Sequence, residues 1–181
     1  MERNDLKSQQ RGIVASALVS TAFSSAILYA GYLLLPHYFS FPEDMADRLA
    51  FAAQLSMFVV IWVVIGVRMV SRVRFYSPED MKGSAYTVPS AEIAVPRAFL
   101  QNTLEQAVIA LGAIFALATL LSGPALALLP SAVFLFSIGR ITFLRAYPKG
   151  AAARAFGMVT TVLPFLIGYI LAIGIMVGKL F

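Results

Sequence analysis

Residues 97–147 read RAFLQNTLEQAVIALGAIFALATLLSGPALALLPSAVFLFSIGRITFLRAY, and this stretch decides the fold. It holds two apolar runs, each long enough to cross the roughly 30 Å hydrocarbon core of a bilayer as an α-helix of about 20 residues. Only Ser122-Gly123-Pro124 interrupts the runs, and such a sequence is typical of a turn. The stretch therefore predicts two successive membrane-spanning helices joined as a tight hairpin.

Three further apolar runs of similar length bring the number of predicted spans to five, at 12–35, 48–70, 97–121, 125–147 and 157–178. Apolar residues make up 60% of the 181 and charged residues 13%, and the mean hydropathy is +0.82. Soluble domains hold roughly 45–50% apolar and about 25% charged residues. The first run lacks a clear cleavage site and exceeds a signal-peptide core in length, so we expect a retained helix. The composition predicts an all-α integral membrane protein.

Basic residues are distributed unequally between the two sides that five spans define. If the N-terminus is cytoplasmic, 12 of the 14 Lys and Arg residues face the cytoplasm, and only Arg48 and Lys179 face the opposite side with the C-terminus. This asymmetry agrees with the positive-inside rule. The basic residues lie beside the ends of the spans, so the net charge of +5 indicates contact with anionic lipid headgroups and not with nucleic acid.

Several classes of site are excluded by residue types that the chain lacks. It has no cysteine, so disulfides and thiolate nucleophiles are absent. It has a single histidine, His37, without the companion ligands of a metal site, and we expect no bound metal. Phosphate-binding loops, dinucleotide fingerprints and nucleophile elbows are also missing.

Asn102 and Glu105 are three residues apart and therefore project from one side of the third span. A carboxylate at membrane depth needs a cationic partner or becomes neutral. Arg97, Arg140 and Arg154 lie near the same membrane side, so a buried acid predicts a buried base. Such a group would suit a ligand with two carboxylates, an amino group and peptide bonds. A structural ion pair between Glu105 and Arg140, joining two helices, is an equally open interpretation.

Residues 97–105, RAFLQNTLE, resemble the Arg-Ala…Asn-x-x-Glu signature of MAPEG proteins, the membrane-associated proteins of eicosanoid and glutathione metabolism. Residues 139–147, GRITFLRAY, followed by Arg154, resemble the second signature of this family, Gly-Arg with a downstream Tyr and a later Arg. The resemblance covers roughly residues 48–178. It implies a four-helix MAPEG-like bundle at 41–181, with an N-terminal cytoplasmic segment and one extra transmembrane helix at 1–40. Family members assemble as homotrimers.

The resemblance also implies roles for individual residues in holding glutathione, a co-substrate bound between neighbouring subunits. Glu105 would lie near its amino group and arginines near its carboxylates. Arg154 would be catalytic, because a guanidinium lowers the pKa of a thiol and favours the reactive thiolate. The implied function is that of a glutathione-dependent transferase, peroxidase or isomerase acting on a lipophilic substrate. The implied binding residues are Arg72, Arg97, Asn102, Glu105, Arg140, Phe143 and Tyr147.

Two departures from the family pattern keep a second function open. Arg97 lies five residues before Asn102, where family members usually have four, so the two side chains are about 140° apart on a regular helix. A π-bulge would restore the alignment; otherwise Gln101 replaces the contact, or there is none. Phe143 offers no hydroxyl, and Arg72 resembles a ligand-binding arginine only loosely. The alternative is a non-catalytic membrane scaffold or lipid-binding protein on the same fold. A transporter is a third hypothesis, but the sequence has no internal repeat that would support it.

Overall fold

The computed structural model of the protein describes residues 3–83 and 85–180, with side chains from Leu6 onward. Residues 1, 2, 84 and 181 of the predicted segments 1–40 and 41–181 lie outside the described residues. The described chain is helical, with 3₁₀ turns at Gly123–Ala127 and Tyr147–Lys149. The helices are α1 (Arg3–Tyr38), α2 (Met45–Tyr76), the short α3 (Pro78–Met81), α4 (Ala91–Leu120), α5 (Leu128–Ala146) and α6 (Ala151–Gly178).

Within the described residues, five helices are long and apolar enough to cross a membrane, which confirms the predicted number of spans. Four of these helices begin three to nine residues before the predicted apolar runs, whereas α5 begins three residues after the start of its run. α1 begins at Arg3, nine residues before the predicted start, because the Lys, Gln and Arg residues that precede the apolar run are good helix formers in water. α2 continues to Tyr76 and ends before Ser77, because Pro78 disfavours the helical conformation for the residue that precedes it. Hydropathy located the membrane part of each helix and not its ends.

Helices α2, α4, α5 and α6 form a four-helix bundle, and α1 packs outside it against α6 and α5. This confirms the predicted bundle with one additional N-terminal helix. α2 and α6 each contact both α4 and α5, whereas α4 and α5 contact each other little. The predicted tight hairpin is therefore wrong in one respect. The chain turns at Ser122–Pro124, but the 3₁₀ segment Gly123–Ala127 carries it across the bundle to the opposite corner.

The closest approach of two helices positions the polar residues of the bundle. A Cβ atom at Gly139 of α5 would overlap with the backbone of Gly157 and Thr161, and one at Gly157 of α6 would overlap with the backbone of Gly139 and Phe143. Small residues allow helix backbones in membranes to approach in this way. The glycine that precedes Arg140 thus brings α6 directly against α5. We use the term basic end for the end of the bundle that contains this contact. The end of α2 and the start of α4 also lie there.

Candidate functional site

Arg140 is fully buried at the centre of the bundle. Its Nη1 donates a hydrogen bond to Oδ1 of Asn102 on α4, at 2.7 Å. Its Nε and Nη2 donate to the hydroxyl oxygen of Thr161 on α6, at 3.1 and 2.8 Å. The guanidinium also lies over the ring of Phe143, 4.8 Å from the centroid. One arginine of α5 therefore joins α4 and α6, and both hydrogen-bond partners that it finds among the described residues are uncharged.

Sequence reasoning did not identify Thr161, which is completely buried beside Arg140. Its hydroxyl donates to the carbonyl oxygen of Gly157 at 2.7 Å, so its lone pairs are available to accept both bonds from the guanidinium. The available signal was the pair Thr160-Thr161 in an otherwise apolar span, with Gly157 four residues earlier. Only the approach of α5 to α6 shows which of the two threonines meets the arginine.

Aromatic rings extend the cluster from Arg140 to Arg154. The ring of Phe143 lies 6.5 Å from that of Phe99 and 5.5 Å from that of Tyr147, and the guanidinium of Arg154 stacks on Tyr147 at 4.6 Å from its centroid. The turn between α5 and α6 produces this stacking, because Gly150 has a φ of 99° and reverses the chain after Pro148. We call the residues joined in this way the Arg140 cluster: Asn102, Arg140, Phe143, Tyr147, Arg154 and Thr161.

Glu105 lies outside this cluster, and the expected pairing of a buried acid with a buried base is wrong within the protomer. Glu105 is exposed, and its Oε1 accepts a hydrogen bond from Nε2 of Gln101 at 2.8 Å. The buried ion is the arginine, and its partner on α4 is the amide of Asn102. Although Asn102 and Glu105 are only three residues apart, one faces the centre of the bundle and the other faces outward.

Arg97 also lies apart from Asn102, because α4 is regular helix from Ala91 to Leu120. A π-bulge at Arg97 is therefore not formed. Arg97 and Gln101, one turn apart, line an open cleft of about 580 Å³ together with Arg74 of α2. We call Arg97, Gln101 and Glu105 the outer face of α4. Gln101, between Arg97 and Glu105, takes the place on this face that the family pattern would give to the asparagine.

Arg72 does not join either group of residues. It is exposed and, with Arg68 and Met69, lines a separate surface groove on α2. Arg74, two residues further along, is the α2 arginine that reaches the cleft of Arg97. The sequence pattern at Arg72 therefore indicated the C-terminal end of α2 correctly. The arginine of this end that reaches the cleft beside α4 is Arg74 and not Arg72.

The loop between α2 and α4 is closed by Asp80, whose side chain is buried. Its carboxylate accepts hydrogen bonds from the hydroxyl of Ser90 at 2.6 Å and from the Ser90 backbone N–H at 3.0 Å. These bonds, foremost the one from the Ser90 hydroxyl, hold the pKa of Asp80 below its ordinary value of 3.8. Because Ser90 also lines the cleft of Arg97, Asp80 fixes the rim of that cleft.

Acidic and imidazole side chains are dispersed in the part of the chain that the structure describes, and no three of them come close enough to hold a metal ion. The chemistry available in the Arg140 cluster and on the outer face of α4 is that of guanidinium, amide, hydroxyl and one outward carboxylate. Such donors and acceptors bind an anionic or zwitterionic organic ligand.

The sequence is similar to a known protein family and to individual membrane proteins. The profile of the MAPEG family matches residues 49–174. Transmembrane protein 79 of Mus musculus is 27% identical over 158 residues, which cover 84% of this chain and 38% of that protein. Transmembrane protein 79 of Bos taurus is 26% identical over 157 residues, with the same coverage. The chain thus spans less than two fifths of the length of these relatives. No solved structure matches the chain.

The matched region begins near the start of α2 and ends near the end of α6, so it contains nearly all of the bundle and leaves α1 outside. The Arg140 cluster and the outer face of α4 both lie within it. The chain therefore belongs to the MAPEG family and carries α1 as an additional N-terminal helix.

Proposed function

We propose that this membrane protein is a glutathione-dependent transferase or peroxidase, which binds glutathione between the subunits of a homotrimer. The observation that carries the proposal is the buried guanidinium of Arg140 with its two uncharged partners. A buried charge is costly without an opposite charge nearby. An anionic ligand beside the Arg140 cluster would supply that charge, and glutathione offers two carboxylates and a sulfur that ionises.

Arg140 also orients the group that would meet the ligand. A guanidinium only donates hydrogen bonds, so the amide of Asn102 must turn its oxygen toward Arg140 and its NH₂ group away. Asn102 is half-buried, and we expect its NH₂ group to be the part that a ligand can reach. Arg140 itself is enclosed and would act on the ligand through Asn102 and through its charge. The implied direct contact between Arg140 and a ligand carboxylate is not part of this proposal.

The position of Glu105 supports a site between subunits. Glu105 lies eight residues beyond Arg97, which is about 12 Å further along α4 and toward the membrane interior. An exposed carboxylate at that depth is costly in lipid, so we expect a neighbouring subunit to cover the outer face of α4. Glutathione bound there would place its amino group at Glu105, and the side chains of Arg97 and Arg72 would be available to its carboxylates across the interface.

Arg154 is the residue that we propose for activating sulfur. Its guanidinium lies over the ring of Tyr147, 4.6 Å from the centroid, and this contact would hold the cation beside the Arg140 cluster. An ordinary thiol has a pKa of about 8.5, and an opposite charge within a few Å lowers such a value by about 1–3 units. A shift of about two units would leave most of the bound thiol ionised at neutral pH, with its proton released to water.

The ionised sulfur would react with a lipophilic molecule that enters from the bilayer between helices. With an electrophilic carbon, the sulfur forms a carbon–sulfur bond and the leaving group departs, or the carbon adjacent to the attacked carbon takes up a proton. With a lipid hydroperoxide, two glutathione molecules give one disulfide, and the peroxide becomes an alcohol and water. The protein contributes position and electrostatics, and glutathione contributes the sulfur.

Replacement of Arg154 by Ala tests this function. We expect the ultraviolet absorbance of the bound thiolate at pH 7 to fall about tenfold or more, since the nearby cation is lost. Affinity for glutathione should fall less than turnover of a generic electrophile, because the remaining polar groups still bind the tripeptide. Both quantities are measured on the full chain in lipid nanodiscs.

Two variants control this experiment. Arg145→Ala removes an exposed arginine from the last turn of α5 and should leave the thiolate signal unchanged. Arg154→Lys keeps the charge without the planar fork and should give an intermediate signal. If Arg154→Ala retains the full thiolate signal and turnover, or if the wild-type protein shows neither, the catalytic proposal is wrong.

A second candidate function is a non-catalytic scaffold or lipid-binding protein. Phe143 favours it, because its buried ring fills the position from which a hydroxyl would reach the ligand. The complete enclosure of Arg140 agrees with a role in joining three helices. A scaffold would lose assembly, but no ligand affinity, when the Arg140 cluster is disrupted.

We also propose that the N-terminus and the basic end face the cytoplasm, because this places 12 of the 14 basic residues on that side. The C-terminus then lies on the opposite side. Single cysteines introduced at Lys7 and Lys179 should react with a membrane-impermeant reagent from opposite sides, and reaction of both from one side would contradict the five-span topology.

A further inference from the structure

α6 presents two different surfaces, one to α5 and one to α1. Toward α5 it presents Arg154, Gly157 and Thr161, which contact Tyr147, Gly139 and Arg140. Toward α1 it presents Ala152, Phe156 and Thr160, which contact Ser16, Phe23 and Ser20. Both surfaces lie in the N-terminal half of α6, so the additional helix packs directly behind the Arg140 cluster.

Two adjacent threonines use the same hydrogen-bond pattern toward two different helices. Thr160 donates to the carbonyl oxygen of Phe156 at 2.8 Å, and Thr161 donates to that of Gly157 at 2.7 Å. With its proton used in this way, Thr161 accepts from Arg140 of α5. Thr160 accepts in the same way from the hydroxyl of Ser20 on α1, over 2.7 Å. Since adjacent helical residues are about 100° apart, the two bonds hold α6 from two sides.

α1 approaches α6 closely along a row of small residues spaced by four. Gly12 lies against Ala152, the Ser16 hydroxyl donates to the carbonyl oxygen of Ala152 at 3.0 Å, and Ser20 follows one turn later. Ser20 and Ser24 are both fully buried, but the hydroxyl of Ser24 has no hydrogen-bond partner among the described residues. The row therefore contains two serines that bond to α6, Ser16 and Ser20, and one turn beyond Ser20 a buried serine for which no such bond is found among the described residues.

We propose that Ser20 and Thr160 are positioning residues, which hold α6 at the rotation that places Thr161 against Arg140 and Arg154 on Tyr147. Arg154 and Thr161 are seven residues apart and differ by only about 20° around the helix axis, so they move together when α6 rotates. A rotation that separates Thr160 from Ser20 displaces both. The additional helix is thus part of the site's construction and not merely a membrane anchor.

The physics of packing in lipid supports an orienting role for the Ser20 bond. Apolar side chains gain little by leaving lipid for a helix interface, so van der Waals contact and hydrogen bonds determine how α1 and α6 are set against each other. The buried hydroxyl of Ser20 needs an acceptor for its proton, and Thr160 supplies one because its own proton is donated to the carbonyl oxygen of Phe156. The bond between Ser20 and Thr160 therefore has one favourable rotational setting of α6 relative to α1.

The test compares Ser20→Ala with Ser24→Ala, which remove the same atom from two buried serines of one helix. The first readout needs no ligand: the rate at which the Arg140 Nε–H exchanges with solvent, measured by NMR on the full chain in nanodiscs. We expect Ser20→Ala to raise this rate about three- to tenfold, the range expected for one hydrogen bond inside a membrane protein. Ser24→Ala should leave it unchanged, and Ser20→Thr should restore it.

The second readout rests on the proposed function and is the titration of glutathione bound to the same variants. Ser20→Ala should reduce the thiolate fraction at pH 7 about three- to tenfold through displacement of Arg154. This effect should disappear when Arg154 is already Ala. If wild-type protein binds no glutathione, the proposed function fails while the exchange rate still decides the positioning role.

Thr160→Val removes the acceptor instead of the donor, and it should reproduce the effects of Ser20→Ala if the bond itself matters. Equal exchange rates for Ser20→Ala, Ser24→Ala and wild type would overturn the proposal. So would an increase that Ser20→Ala and Ser24→Ala share, because this would show general loosening of α1 and not a specific orientation of α6.

Discussion

The Arg140 cluster and the outer face of α4 both carry ionisable groups. The surroundings of these groups differ, because one set is enclosed by the bundle and the other lies on its surface. Arg140 is enclosed and bonded to two other helices of its own protomer. Glu105 is exposed, and among the described residues it bonds to Gln101, one turn away on the same helix, while Arg97 lines an open cleft. The first region is enclosed within one chain, whereas the second is open at the surface of that chain.

This difference indicates a division of roles. Groups that are preorganised by their own fold can impose a fixed electric field without reorganisation when a ligand arrives. Groups that are exposed at membrane depth are stable only when a ligand, a water-filled cavity or another subunit covers them. The Arg140 cluster would therefore determine where charge is favourable, and the outer face of α4 would determine what binds there.

The largest expected effect comes from replacing Arg140 by Met, with Arg97→Met as its exposed counterpart. Arg140→Met removes a buried charge that lacks a carboxylate, so the thermal stability should stay the same or rise. Glutathione affinity should fall about 10- to 100-fold, because Asn102 loses its orientation and hydrogen bonds to charged groups contribute about 1.5–3 kcal/mol. Arg97→Met should lower affinity by no more than about fivefold, because an exposed arginine contributes little even where it meets a ligand carboxylate.

Calorimetric titration and thermal unfolding in the same nanodisc preparation measure both quantities. Loss of assembly in Arg140→Met with retained affinity would mean that the buried arginine is a structural link, as the scaffold function requires. A larger loss of affinity in Arg97→Met than in Arg140→Met would reverse the roles of the two regions.

Glu105→Gln gives the next largest effect and tests whether the outer face of α4 binds the amino group of glutathione. The variant keeps the size of the side chain and its capacity to accept a bond from Gln101, but it removes the charge. Affinity for glutathione should fall about tenfold, with little change in unfolding temperature. Glu92→Gln, an exposed acid in the first turn of the same helix, is the matched control and should bind normally. An unchanged affinity in Glu105→Gln would leave that carboxylate without a role in ligand binding.

The sequence predicted the parts of this structure that depend on local composition. Five apolar runs indicate five spans because the cost of exposing polar backbone to lipid admits few other arrangements. The same runs do not show the helix ends, as α1 and α2 continue through charged residues into water. They also do not show that the 3₁₀ segment after Pro124 moves α5 away from α4.

The composition of the candidate site was predictable only in part, because its geometry depends on contacts between distant residues. Asn102 and Arg140 were identified from their types, but the choice of Arg140 and not Glu105 as the buried ion follows from the approach of α5 to α6 at Gly139 and Gly157. Thr161 lies 21 residues after Arg140, and no local pattern pairs them. Likewise, Ser20 resembles any other small residue of a membrane helix until α6 is placed beside it.

The smallest expected effect is a change in hydrogen exchange at Ser90, on the rim of the cleft that Arg97 lines. It should occur at this rim and not in the Arg140 cluster. Asp80→Asn removes the carboxylate that accepts both bonds from Ser90, so the Ser90 amide should exchange with solvent several-fold faster at pH 7. The Arg140 cluster should be unaffected. Hydrogen exchange of a peptide spanning residues 77–95, corrected for intrinsic rates, measures the change. Glu79→Gln, an exposed neighbour, is the control.

The pH dependence of this protection has a definite sign. The Ser90 bonds lower the pKa of Asp80 in the folded protein below 3.8, so the unfolded carboxyl binds its proton first as the pH falls. The contribution of Asp80 to loop stability is therefore fully present above pH 3.8 and is lost as the pH falls through the lower folded value. Wild type and Asp80→Asn should differ most near neutral pH and converge in acid. Equal protection of Ser90 in the two proteins at pH 7 would show that the rim of the cleft is held by α3 and Pro89 instead, and the open region would then be as preorganised as the closed one.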